Sequence, residues 1–215
     1  MEPSWIEAGA VYRWAHDERP MRVLMHDHDV AMYDVWWPHL RNWGLSNIGE
    51  AKRKRIDYYV TRISSLASKA SYLRTDPLTE EEFKLHRPDL PFSMGRCSEV
   101  QWAESVPETR QEMAERLRSA GCLSDGGETT VPASDLYLVP FGPNGGQKRP
   151  VRVKPDDGVA FTIEELIWKS ARAQAEVVDG VLPTEGIGVY RAGLQRGVPS
   201  YYLWGADSKL HSRAS

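Results

Sequence analysis

Val30-Ala31-Met32-Tyr33-Asp34-Val35-Trp36-Trp37-Pro38 is the stretch on which the fold turns. Side chains on a strand alternate between faces, so Val30, Met32, Asp34 and Trp36 share one side and Ala31, Tyr33, Val35 and Trp37 the other. Both sides are largely apolar. That predicts a strand inside a sheet, covered on both faces and ended by Pro38, which has no N–H to give a ladder. Before it, residues 11–14 and 21–25 are further aromatic and branched runs, separated by polar breaks. Together the runs predict an N-terminal β-meander.

After it, Asn47 and Glu50 have the spacing of a capping box. Ile56, Tyr59, Val60, Ile63, Leu66, Ala67, Ala70 and Leu73 then recur on steps of three and four. This spacing predicts a long amphipathic helix, stopped by Thr75-Asp76-Pro77. Thr79 and Glu82 open a short second helix, closed off by Pro88 and Pro91. A third is expected over residues 108–120, with Met113, Leu117 and Ala120 inward and Gly121 as a left-handed cap. Residues 136–139 and 151–153 read as a strand pair across the loop 142–150. Thr162 and Glu165 cap a helix carrying Ile163, Leu166, Ile167, Ala171 and Val178. Residues 186–191 and 200–204, around Gly193 and Gly197, read as a final hairpin. Strands and helices are segregated in this order. The fold class is therefore α+β, with a largely antiparallel sheet (N-terminal β-meander plus C-terminal hairpins) packed by a long helix and two or three shorter ones. One domain over residues 1–215 is expected, with residues 124–133 the candidate seam or mobile loop.

The chain has 215 residues, 41% hydrophobic and 27% charged, and a net charge of −3. These are the values of an ordinary globular protein. No apolar run approaches the roughly 20 residues of a membrane span, and the first residues are not a secretory signal, so a cytoplasmic protein without membrane contact is expected. Cys97 and Cys122 are too few for a disulfide framework or a four-thiolate zinc site. Near-neutral charge argues against coating nucleic acid through bulk electrostatics.

Three groups of residues carry chemistry worth weighing. On the expected long helix, Arg55, Arg62 and Lys69 recur every seven positions and form one stripe, with Tyr58, Ser65 and Tyr72 beside it. Guanidinium and ammonium groups suit phosphate oxygens, and exposed phenol rings give bases a surface to stack on. The plainer alternative is a solvated helix side whose tyrosines pack on the sheet. Cations at Lys52-Arg53-Lys54-Arg55 sit against the helix dipole, which hints at a use.

His26-Asp27-His28-Asp29 places alternate histidines beside carboxylates, with Asp34 and His39 near in sequence. Such donors suit zinc, iron or manganese. The tetrad also falls where a hairpin turn is expected, and aspartate is favoured there because it bonds its own backbone. Trp36, Trp37 and Trp43, with Tyr202 and its neighbours Tyr201 and Trp204, suit either a core layer or a recognition surface.

Lesser signals lack the required spacing. Gly142–Lys148 is not a phosphate loop, Asp207 and Lys209 have no second acid, and Cys97 has no defined base. From these patterns the expected function is binding of nucleic acid or another phosphate-rich ligand through the Arg55–Tyr72 face. The alternatives are a non-catalytic protein-interaction module using the tryptophans, and a metal-dependent hydrolase built on His26, His28, Asp34 and His39. Neither an enzymatic activity nor a cofactor follows from the sequence.

Overall fold

β1 (Ala10–Trp14), β2 (Pro20–His26) and β3 (Val30–Trp37) form the expected antiparallel meander, and β3 ends immediately before Pro38. The computed structural model describes residues 6–45, 47–103, 108–123, 130–178 and 180–208. Helices and strands interleave along the chain instead of separating into blocks, but the pairing is dominated by antiparallel ladders, so the fold is α+β. Two compact units divide the chain. The first comprises Met1–Phe92 with Gly193–Val198, the second Ser93–Ala192 with Pro199–Ser215. Residues 124–129, the greater part of the candidate seam, lie outside the described residues.

The long helix expected after β4 (Asn42–Trp43) does not form. Its place is taken by α1 (Ile48–Ala51), β5 (Arg55–Asp57), β6 (Tyr59–Arg62), α2 (Ile63–Lys69) and β7 (Ala70–Thr75). Asn47 does accept the Glu50 N–H, but the cationic run that follows opposes the dipole of a growing helix. Beyond it, short branched and aromatic segments find ladders. β6 pairs with β3, setting Tyr59 opposite Tyr33, and β7 pairs with β1, setting Tyr72 opposite Tyr12. The three–four spacing survives only in α2, whose Leu66 is fully buried. Tertiary pairing has overridden a local pattern.

β3 is central in the sheet, flanked by β2 on one side and by β4 and β6 on the other, and its residues on both faces are buried or half-buried, as its composition requires. On one face Ala10, Tyr12, Met21, Val23 and Ala31 pack with Ile6 and Leu66. Burial pushes the Tyr12 phenol up to about 12, with Tyr72 contributing. The opposite face carries Val11, Arg22 and Asp34 in cross-strand register. Here Arg22, 1% exposed, reaches Glu82 of α3 (Glu80–His86) at 2.6 and 3.3 Å and lies over the Trp43 ring at 4.6 Å. Glu82 also closes the Thr79 capping box, accepting the Thr79 N–H at 2.8 Å. One carboxylate thus ties a helix start to the sheet.

In the second unit, β8 (Ser93–Cys97) leads to α4 (Arg110–Ser119), then the two-residue β9 (Thr130–Val131). Thr109 and Glu112 form the capping box of α4, and Gly121 adopts the left-handed conformation that ends it. β10 (Leu136–Val139) pairs with β11 (Val151–Val153) as expected, and β12 (Phe161–Thr162) pairs with β9. Thr162 caps α5 (Ile163–Ala175), which buries Leu166, Ile167 and Ala171. Gln174 on this helix takes the Phe141 N–H and donates to the Phe141 carbonyl. β13 (Ile187–Gln195) and β14 (Val198–Trp204) form the last hairpin, turning at Arg196 and Gly197, both at positive φ as a tight hairpin loop demands. β14 also pairs in parallel with β10. The end of β13 that belongs to the first unit pairs with β5.

Candidate functional site

The register of the first sheet gathers aromatic side chains that are far apart in sequence. Tyr33 on β3 and Tyr59 on β6 stand directly opposite each other, with rings stacked at 5.6 Å. Trp14, last residue of β1, hydrogen-bonds the Tyr33 phenol and stacks on His16 at 5.8 Å. Trp37, last residue of β3, carries the Arg19 guanidinium over its ring at 5.4 Å. Asp17 grips that guanidinium at 2.7 Å and fixes the turn by also accepting the Arg19 backbone N–H. Tyr33 and Trp14 pack inward against the meander core, whereas Tyr59 is 42% exposed.

The charges of this patch are local and nearly balanced. Hydrogen bonding from the Arg19 side chain, then from its backbone, holds the Asp17 carboxyl at about 2, below the usual 3.8. The Tyr33 phenol is raised, first by burial and then by Tyr59, while the Trp14 hydrogen bond opposes the rise. The phenol is therefore neutral at ordinary pH. A cleft of about 720 Å³ adjoins the patch, lined by residues 13–18 and Ser71, and shares Trp14, His16 and Asp17 with it. Rings, an ion pair and a cleft thus form one continuous surface on the first unit.

The residues expected to follow a phosphate backbone do not share a helix face, because that helix is absent. Tyr58 is buried, and its hydroxyl bonds His86 Nδ1 at 3.0 Å in the core. That removes it from any ligand surface. Arg55 is exposed on β5 and pairs with Asp57 at 2.7 Å. Arg62 occupies the N-cap position of α2, and Lys69 ends that helix. Tyr72 is 50% exposed on β7 and bonds Thr75.

The histidine tetrad is the β2–β3 turn. Asp27 accepts the N–H groups of Asp29 and Val30, His26 Nδ1 lies 3.0 Å from the Asp27 carbonyl, and His28 pairs with Asp29 in solvent. Asp34 is fully buried and accepts the Val35 and Leu45 N–H groups, so it points away from that turn's solvent side. His39 rests edge-on against Trp37. The four expected ligands do not converge, since the turn geometry sends them to different places. Among the described residues, the converging donors are those of Cys97, Glu99 and Cys122.

The tryptophans divide. Trp43 is buried, donating to Asp76 and lying edge-on to the half-buried Trp36. Tyr202 is a core residue stacked on Tyr190 at 5.3 Å. Of the expected interaction residues, Trp37 joins the aromatic patch. Trp14, Tyr33 and Tyr59 were not singled out by sequence, because only strand register brings them together. No protein-family model, curated protein or solved structure matches the chain.

Proposed function

We propose that the first unit is a non-catalytic recognition module that binds an extended polypeptide segment across Trp14, Tyr33, Trp37 and Tyr59. The observation that carries this reading is the exposure of Tyr59 and the half-burial of Trp14, Tyr33 and Trp37, with a cleft at Trp14. Core aromatics are closed over by other side chains. These rings keep part of their surface in solvent, on residue types that dominate binding hot spots. Rigid rings contribute large contact area while losing little side-chain freedom on binding. Arg19 over Trp37 supports the same view, because that ring already lies against a cationic side chain.

A polypeptide fits better than a polyanion. Arg13, His16 and Arg19 at the surface are matched by Asp17 and Glu18, so there is no one-signed field to attract phosphates. The cations of residues 52–55 are exposed but partly engaged, with Lys54 on Glu50 and Arg55 on Asp57.

Selection of a random peptide library on the immobilised full chain tests the proposal. Enriched peptides are expected to lose at least about tenfold in affinity on Trp14→Ala or Tyr59→Ala, in line with the cost of truncating a hot-spot ring, and to bind almost equally at low and high salt. Peptides indifferent to both substitutions overturn it. Single-stranded DNA bound tightly at low salt with a steep salt slope would return the advantage to the phosphate-binding reading.

A further inference from the structure

In the second unit, Cys97 at the end of β8 and Cys122, just beyond α4, are joined by a disulfide. Glu99 sits against it, its Oε2 3.6 Å from Cys97 Sγ and 3.7 Å from Cys122 Sγ. A disulfide has no S–H to donate, so this carboxylate is aimed at two sulfurs that give it nothing in return. Its position makes sense for the reduced pair. In a tetrahedral zinc site with Zn–S near 2.3 Å and Zn–O near 2.1 Å, an oxygen and a sulfur on the same ion lie about 3.6 Å apart. Glu99 stands at that spacing from each sulfur of the bonded pair, and reduction leaves the two sulfurs free to separate to the roughly 3.8 Å that sharing one ion requires.

The surroundings favour a cation. Cys122 follows the C-terminal end of α4, the negative end of the helix dipole, and its Sγ lies 3.6 Å from the Ala120 carbonyl. Cys97 is 3% exposed, Cys122 half-buried and Glu99 exposed, so two ligands are sheltered and the third opens to solvent. That is the layout of a site with an entry path and a fourth position left for water.

We propose that the reduced chain binds one thiophilic divalent cation, zinc by preference, through Cys97, Cys122 and Glu99, and that disulfide formation abolishes the site. A dithiol reductant supplies two electrons and two protons, giving two cysteine thiols and its own disulfide. Binding then releases those two protons as the thiolates and the Glu99 carboxylate coordinate the ion. Thiolate ligands suit zinc over calcium or magnesium, which prefer all-oxygen shells. Because the ion holds only the reduced state, zinc and the disulfide exclude each other, and zinc shifts the thiol–disulfide balance toward the dithiol.

The test uses the full chain, reduced with a phosphine, freed of reductant and titrated with cobalt(II) and zinc(II). One equivalent of cobalt is expected to give a thiolate charge-transfer band that zinc displaces, and the oxidised chain to show no band. Glu99→Gln keeps both cysteines and can still form the disulfide. It is expected to weaken zinc binding by roughly tenfold or more, the least that losing a ligand should cost. Cys97→Ser with Cys122→Ser should abolish the band, with circular dichroism reporting the fold. Absence of the band in the reduced wild type overturns the proposal, and so does equal binding by the oxidised chain. Unchanged affinity in Glu99→Gln removes Glu99 from the site and overturns it as stated.

Discussion

Replacing Arg22 by Met probes how the first unit is held together. Arg22 and Glu82 are buried, bonded at 2.6 and 3.3 Å, and the guanidinium lies 4.6 Å from the Trp43 ring. The substitution leaves the Glu82 carboxylate buried without its guanidinium, while the bond from the Thr79 N–H remains. Removing one partner of a buried ion pair costs about 3–5 kcal/mol. For a chain of this length, 1 kcal/mol moves Tm by about 2–4 °C, so Tm should fall by at least about 6 °C. Arg22→Met combined with Glu82→Gln removes the stranded charge and keeps a side chain able to cap α3. The double variant should therefore recover to within about 2 kcal/mol of the parent, the residue being the lost contact with Trp43. Urea denaturation followed by tryptophan fluorescence gives these differences. A loss below about 1 kcal/mol in the single variant would place the pair with solvent-exposed ones and refute the reasoning. So would a double variant as unstable as the single.

Gln174→Met deprives both polar groups of Phe141 of their partner in a buried setting, and should cost about 2–4 kcal/mol, measurable as a lower urea midpoint. Gly193→Ala would set a Cβ inside the contact distance of the Ile56 carbonyl oxygen, so it should disrupt the β5–β13 ladder and destabilise by about 1–3 kcal/mol. Asp17, held at about 2 against an ordinary 3.8, has a depressed folded pKa, so its contribution is present above about pH 4 and is lost as pH falls toward 2. As the pair is solvent-exposed, the loss should not exceed about 1 kcal/mol, and Asp17→Asn should erase that part of the acid dependence in urea midpoints taken across this range.

The meander was legible because its runs are long enough to show alternation, and β3 advertises its double burial through residues such as Met32 and Val35. The Thr79 and Thr162 caps were legible because a cap is a local contact of three residues. Residues 55–75 were not. β5 and β6 are three and four residues long, too short for alternation to outweigh the three–four spacing of Ile56, Tyr59, Val60 and Ile63. What made them strands was an unfilled edge on β3 and β13, which no window of local sequence displays. The same blindness hid the aromatic patch, since Tyr33 and Tyr59 meet only through register. It hid Cys97, Glu99 and Cys122 as well, because β8 and the end of α4 must be placed before the donors converge.

Recognition through the Trp14–Tyr59 surface is tested most directly by the indole N–H resonances of isotope-labelled full chain, recorded while an enriched peptide is added. Trp14 and Trp37 signals should shift with saturation at one equivalent, while Trp43, bonded to Asp76, and Trp102, bonded to the Trp204 carbonyl, stay in place. Stationary Trp14 and Trp37 signals in the presence of bound peptide would contradict it.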